Sequence, residues 1–188
     1  MSRIHVLIIG AGSAGSRHLK NLHSLGCSCD AFDPRTDRLQ ELQKSGVTQR
    51  VFNQWKDINL AEYDSYVIAS PPVFHHDQLL ELMQFDKWIL CEKPLTTSLE
   101  PIADTCNKSF KKVLLGYTYR WWPPVICLKN HIDKGTIGTI RTARFIMSAH
   151  LADWHPWESY NDFYMAHKEL GGGALLDESH FLDLMLWF

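Results

Sequence analysis

No charge sign dominates this 188-residue sequence: 19 lysines and arginines stand against 21 aspartates and glutamates, for a formal net charge of −2. It has no basic block or stripe, so nucleic acid is not an expected partner. No apolar run reaches bilayer length, and the N-terminus enters a strand directly, without a charged-then-apolar leader. Neither a membrane partner nor a secretory signal is therefore expected. Cysteine is sparse and odd in number: Cys27, Cys29, Cys91, Cys106 and Cys127 show no framework spacing, which points to reduced, buried thiols in a cytoplasmic setting. Cys27 and Cys29 would share a strand face, but no further ligands stand close by. His150, His155, His167 and His180 are scattered, so no metal site is expected. Asn107-Lys108-Ser109 matches a glycosylation sequon, which has no meaning without secretion. Internal repeats and low-complexity segments are absent too. The length allows one full core and part of a second.

What is present begins with Ile4 to Ile9, β-branched and apolar with almost no alternation. That is the pattern of a parallel strand covered on both faces. Gly10, Gly12 and Gly15 follow at G-x-G-x-x-G spacing around Ala11, Ser13 and Ala14. In a dinucleotide-binding turn the first glycine allows the bend, the second admits a pyrophosphate, and the third lets the helix pack close. The helix N-terminus adds unpaired N–H groups and partial positive charge. A second strand ends in Asp33, about 20 residues past the glycines, where a carboxylate accepts both adenosine ribose hydroxyls and repels a 2′-phosphate. NAD is thus favoured over NADP, with Arg35 and Arg38 close enough to soften that repulsion. A strand-to-helix turn needing glycine for conformation alone is the alternative.

The remaining pattern alternates strand and helix. Helix is expected from Ser13 to Leu25, with Leu19, Leu22 and Leu25 buried and Gly26 as the stop. Strand follows from Cys27 to Asp33. Thr36 is expected to cap a helix that ends at Gly46. Strands are expected at Val47–Phe52, Tyr66–Ala69, Trp88–Cys91 and Val113–Gly116, and helices at Val73–Phe85 and Leu99–Phe110. Trp55–Asp64 reads as polar connection with one helical turn. This order predicts an α/β fold, a doubly wound and largely parallel sheet over residues 1–117. The pattern changes in 118–188, which reads as the incomplete start of an α+β domain. Pro123-Pro124 opens a helix ending at Gly135, Ile140–Met147 alternates like a strand of a second sheet, and Leu175–Phe188 reads as one helix. Leu184 to Phe188 has no cap and no polar finish, so the chain is expected to be truncated or a fragment, or to need a partner.

Several residues suit chemistry. Lys93, between Glu92 and Pro94 at a strand's carboxyl end, would face the nicotinamide of a bound cofactor. There it could take a hydroxyl proton and stabilise a developing alkoxide. His180 is a second candidate, with Asp177 and Asp183 at helical spacing to orient it; a helix N-terminal aspartate that offsets the dipole and a core histidine are the alternative. Ser70-Pro71-Pro72 and His75-His76 either wall the nicotinamide and ribose or terminate a strand and cap a helix. Arg120, beside Trp121-Trp122, meets substrate or packs a hinge. The aromatic loop with Trp154, His155 and Trp157 either stacks on a sugar or fills a core.

Taken in order, Ile4–Gly15, Ser70-Pro71-Pro72 with His75, Glu92-Lys93-Pro94, Tyr119-Arg120-Trp121-Trp122-Pro123 and Gly171-Gly172-Gly173-Ala174-Leu175-Leu176-Asp177 resemble the glucose–fructose oxidoreductase, inositol dehydrogenase and MocA (Gfo/Idh/MocA) family. The resemblance implies an N-terminal Rossmann domain for NAD or NADP and a C-terminal, mostly antiparallel sheet that covers the active site and forms oligomer contacts. It implies a hydride transfer on a hydroxyl or ketone of a sugar, polyol or nucleotide sugar. The family's motif lysine matches Lys93, and its aspartate and histidine match Asp177 and His180. Many members hold those two residues four apart, whereas here the spacing is three. Full-length relatives are expected to be homo-oligomers and continue with strands that this sequence lacks. A non-catalytic NAD(P)-binding regulator and an inactive fragment of such an enzyme are the alternatives.

Overall fold

The computed structural model describes residues 3–98, 110–148, 150–153, 159–162 and 164–188. The chain divides into two compact units, Met1–Gly116 and Tyr117–Phe188.

The first unit is built on a six-stranded sheet in the order β3-β2-β1-β4-β5-β6. Its strands are β1 (His5–Ile9), β2 (Ser28–Phe32), β3 (Val51–Phe52), β4 (Ser65–Ile68), β5 (Trp88–Cys91) and β6 (Val113–Leu115). Every pairing is parallel. This is the doubly wound order in which the strand sequence reverses between β1 and β4, leaving a crevice at their carboxyl ends. The unbroken apolar run of β1 has its explanation in the two cores. Leu7 and Ile9 enter one cluster with Tyr66, Ile68, Leu79 and Leu82, while Val6 and Ile8 enter another with Leu19, Ala31, Leu39 and Val67. Successive side chains point to opposite faces, so a strand between two helical layers has no polar side.

Helices α1 (Ser13–Ser24), α2 (Thr36–Ser45) and α3 (His75–Met83) cover the sheet. Several local expectations need correction. Leu25 lies outside α1 and is 79% exposed, so the buried stripe stops at Leu19 and Leu22. Thr36 is the first residue of α2 rather than its cap. Arg35 occupies the cap position, and its N–H donates to Asp33 Oδ1 at 2.8 Å. The third strand is only Val51–Phe52, and the connection after it holds two single turns, Trp55–Asp57 and Leu60–Glu62. The expected helix at Leu99–Phe110 and the sequon fall mostly or wholly outside the described residues.

β2 itself carries a buried carboxylate. Asp30 is fully buried and accepts from Arg50 Nε at 2.9 Å, the Arg50 N–H at 2.9 Å and the Tyr63 hydroxyl at 2.9 Å, with His5 Nε2 at 3.0 Å. A buried charge persists only when paired and hydrogen-bonded in this way. The network ties the short β3 edge and the turn at Leu60–Glu62 to the centre of the sheet.

In the second unit, α4 (Pro123–Asp133) forms where Pro123-Pro124 start it, followed by α5 (Ala174–Asp177) and α6 (Ser179–Trp187). The expected strand at Ile140–Met147 does not form, and 137–148 carries no regular element among the described residues. Alternation makes a segment able to pair, but a strand needs a neighbour for its N–H and C=O groups. Among the described residues the second unit supplies none. The expected single helix after the glycines is broken at Glu178, whose φ of −93° and ψ of 25° separate α5 from α6.

Candidate active site

The glycine turn joins β1 to α1, and its three glycines differ in their surroundings. Gly10 has φ +97°, and a Cβ there would sit 2.5 Å from Ala69 O, so the end of β4 presses on the turn. A Cβ on Gly15 would lie 1.7 Å from Gly10 O, because α1 packs directly on the bend. Gly12 is open: a Cβ there would meet only the Arg38 guanidinium, at 3.4 Å. The second glycine therefore keeps the free face that a pyrophosphate needs, beside the first turn of α1 that begins with Ser13 and Ala14. The cradle fits a dinucleotide.

Asp33 follows β2 directly beside this turn and is only 4% exposed. Its Oδ2 accepts the Ala11 N–H at 2.7 Å, and Arg38 Nη1 stands 3.8 Å away. With the bond from Arg35, each oxygen already holds one backbone donor. A carboxylate has about four acceptor positions, so capacity for ribose hydroxyls remains.

The ends of β4 and β5 form the neighbouring part of the same sheet edge. Ser70 donates its hydroxyl to Gln78 Oε1 at 2.6 Å, and Pro71-Pro72 lead into a short turn before α3. His75 is 1% exposed, with Nδ1 2.7 Å from Pro94 O and Nε2 2.7 Å from Ser70 O. The ring is a strut between two edge turns. Burial lowers its pKa, outweighing the opposing pull of the Pro94 and Ser70 carbonyls. A neutral ring carries one N–H and donates to one carbonyl at a time.

Glu92 and Lys93 follow β5 directly, and the Lys93–Pro94 peptide is cis. The Glu92 carboxylate does not project freely. Its Oε1 lies 2.6 Å from His18 Nε2 on α1, and its side chain crosses Gly116, where a Cβ would fall 2.8 Å from Oε2. Sequence reading missed His18, Gln78 and Gly116. The one available signal for His18 was its place three residues beyond Gly15, on the helix face that meets the turn.

The second unit holds the other candidates. Arg120 makes a two-pronged pair with Asp183, Nε to Oδ2 at 2.7 Å and Nη2 to Oδ1 at 2.6 Å. The fork fastens the turn at Thr118–Trp121 to α6. Asp183 of the expected Asp177-His180-Asp183 face is thus the partner of Arg120. Asp177 is buried at the end of α5 and accepts the Tyr164 hydroxyl at 3.0 Å. His180 opens α6 and stacks on Tyr119 at 4.3 Å between ring centroids, with Tyr117 edge-on at 5.8 Å. Trp154 and His155 lie outside the described residues. Among the described residues no group of three or more side chains could hold a metal ion, and no helix is long and apolar enough to cross a membrane. Burial pushes the Cys29 thiol up to about 11 and the Cys91 thiol to about 12, so both are inert. Cys127 is exposed, against the expectation that the thiols are buried.

Comparison with known proteins agrees with this geometry. The chain is 28% identical over 146 residues to inositol 2-dehydrogenase of Mycolicibacterium smegmatis, an alignment covering 73% of this chain and 42% of that protein. It is 27% identical over 194 residues to the rhizopine catabolism protein MocA of Rhizobium meliloti, covering 100% of this chain and 57% of that one. Scyllo-inositol dehydrogenase of Lactobacillus casei, solved with NAD(H) and scyllo-inositol, superposes with a TM-score of 0.78 at 24% identity, covering 100% of this chain and 56% of that structure, and shares the fold. The chain spans about half the length of the relatives it matches. Residues 4–116 match the profile of the oxidoreductase family with the NAD-binding Rossmann fold. The chain belongs to that family, the Gfo/Idh/MocA oxidoreductases.

Proposed function

We propose that this chain is an NAD-dependent oxidoreductase for a hydroxyl or ketone of a polyol, sugar or nucleotide sugar. The observation that carries the reading is the meeting, at one carboxyl edge, of the open Gly12 cradle and the Glu92-Lys93-Pro94 turn. When bound, NAD supplies the hydride acceptor. Gly10, Gly12 and Gly15 with the first turn of α1 hold the pyrophosphate, and Asp33 accepts the ribose hydroxyls. Ser70, Pro71 and Pro72 border the cofactor on the β4 side. Lys93 polarises the substrate oxygen and manages its proton. In the second unit, His180 and Asp177 are the side chains suited to move a proton near neutral pH. The inert Cys29 and Cys91 thiols suit a reducing compartment such as the cytoplasm.

The test is calorimetry with NAD and NADH, followed by NAD reduction with myo-inositol as the probe polyol. Lys93→Ala is expected to keep NADH affinity within about threefold and to lower turnover by about 10²–10⁴. Absence of heat with either coenzyme overturns the cofactor reading. Unchanged turnover in Lys93→Ala overturns the catalytic one.

A further inference from the structure

Lys93 has fixed neighbours on both sides. Behind it, the Glu92 N–H donates to Ile68 O at 2.8 Å and so joins the end of β4. Ahead of it, Pro94 O lies 2.7 Å from the buried His75 ring. The Glu92 side chain adds a third restraint. It lies across Gly116, whose own N–H donates to Cys91 O at 2.8 Å, and ends against His18. Burial acts to raise the Glu92 carboxyl, but the hydrogen bond from His18, the His18 charge and the Lys93 charge outweigh it and hold the group below the usual glutamate range. The carboxylate is therefore ionised near neutral pH and has only lone pairs to offer, so His18 Nε2–H donates. Charge-assisted bonds of this length are the strong ones. The side chains are 20% and 16% exposed, which limits competition from water.

His18 belongs to α1, the helix whose first turn borders the Gly12 cradle. The Glu92 bond therefore ties the backbone that carries Lys93 to the element that would hold the cofactor phosphates. We propose that His18 is a positioning residue for Lys93, anchoring Glu92 so that the lysine stands at a fixed depth relative to the bound dinucleotide. This rests on the catalytic assignment of Lys93 above. Catalytic groups need such support, because a displacement of about 1 Å lowers rates about a hundredfold.

The experiment compares His18→Ala and His18→Gln in the full chain. The glutamine amide nitrogen reaches about as far as Nε2 and keeps a donor for Glu92. Three readouts are taken: steady-state rates with NAD and myo-inositol, NADH affinity by fluorescence, and the amide signals of Lys93 and Gly116 in ¹H–¹⁵N spectra. His18→Ala is expected to lower kcat about ten- to a hundredfold, leave the KM for NAD and the NADH affinity within about threefold, and shift both amides. His18→Gln is expected to recover most of kcat and return the amides toward their original positions. The inference falls if His18→Ala keeps kcat within about twofold of the parent, or if glutamine rescues no better than alanine. Lys93→Ala, run alongside, separates the two claims: turnover surviving in that variant overturns the role of Lys93, whereas its loss beside an unaffected His18→Ala overturns only the role of His18. If the parent turns over no probe, the amide signals decide, and unmoved signals in His18→Ala overturn the anchor.

Discussion

The two units use apolar residues in opposite ways. Residues up to 116 bury theirs on both faces of a parallel sheet, with Leu7, Ile8, Ile9, Leu19, Ile68 and Leu82 all fully buried. From 117 onward, Leu184 is the one buried aliphatic among the described residues, while Ile137, Ile146, Leu175, Met185 and Leu186 are each more than half exposed. Composition alone does not separate the two. The difference is that every strand of the first unit has a neighbour to complete its ladder and a helix to cover it. The second unit has helices and turns but no sheet among its described residues. Exposed apolar side chains that lie together mark places where something else packs.

Substitutions can sharpen or break this contrast. Leu7→Ala removes a side chain between β1 and the α3 layer and is expected to lower unfolding free energy by about 2–5 kcal/mol, measured by urea denaturation. A loss below about 1 kcal/mol would mean that the core around β1 is not tightly packed. A smaller effect comes from pH. His75 has a folded-state pKa below the ordinary histidine value of 6.5, so the folded state prefers the neutral ring. Its contribution is complete above 6.5 and is lost as pH falls from there through the lower folded value. Urea midpoints should decline on acidification in that window by at most ~1.4 kcal/mol per pH unit for this proton, and His75→Gln should flatten the decline. The smallest effect belongs to the second unit. Leu186, at 88% exposure, should tolerate Leu186→Ala within about 0.5 kcal/mol. A cost comparable to Leu7→Ala would show that the outward apolar face is already covered in solution.

Legibility followed the same divide. The sheet of the first unit could be read because strands buried on both faces leave an unbroken apolar run, as Ile4–Ile9 does, and because glycines at fixed spacing have distinct steric reasons. The second unit misled where pattern and partner came apart. Ile140–Met147 alternates convincingly, yet pairing is a property of two segments, and only one is present among the described residues. Likewise, helical spacing put Asp177, His180 and Asp183 on one helix, but that helix breaks at Glu178 and Asp183 is tied to Arg120. Within the candidate site, the place of the Glu92-Lys93-Pro94 turn was legible from the buried strand before it. His18 was not, since its contact with Glu92 spans 74 positions and no local pattern encodes such a pair.

One absence of atoms sets a mutational boundary. Position 116 follows the sixth strand without any reactive group, yet the bare α-carbon there is what lets the acid just past the adjacent strand lie flat. Even a methyl would compete with that acid for the same few cubic ångströms and lift it away from its histidine. A residue with no chemistry of its own thus limits which variants of the neighbouring turn the scaffold tolerates, and drift at that edge is restricted by volume before it is restricted by reactivity.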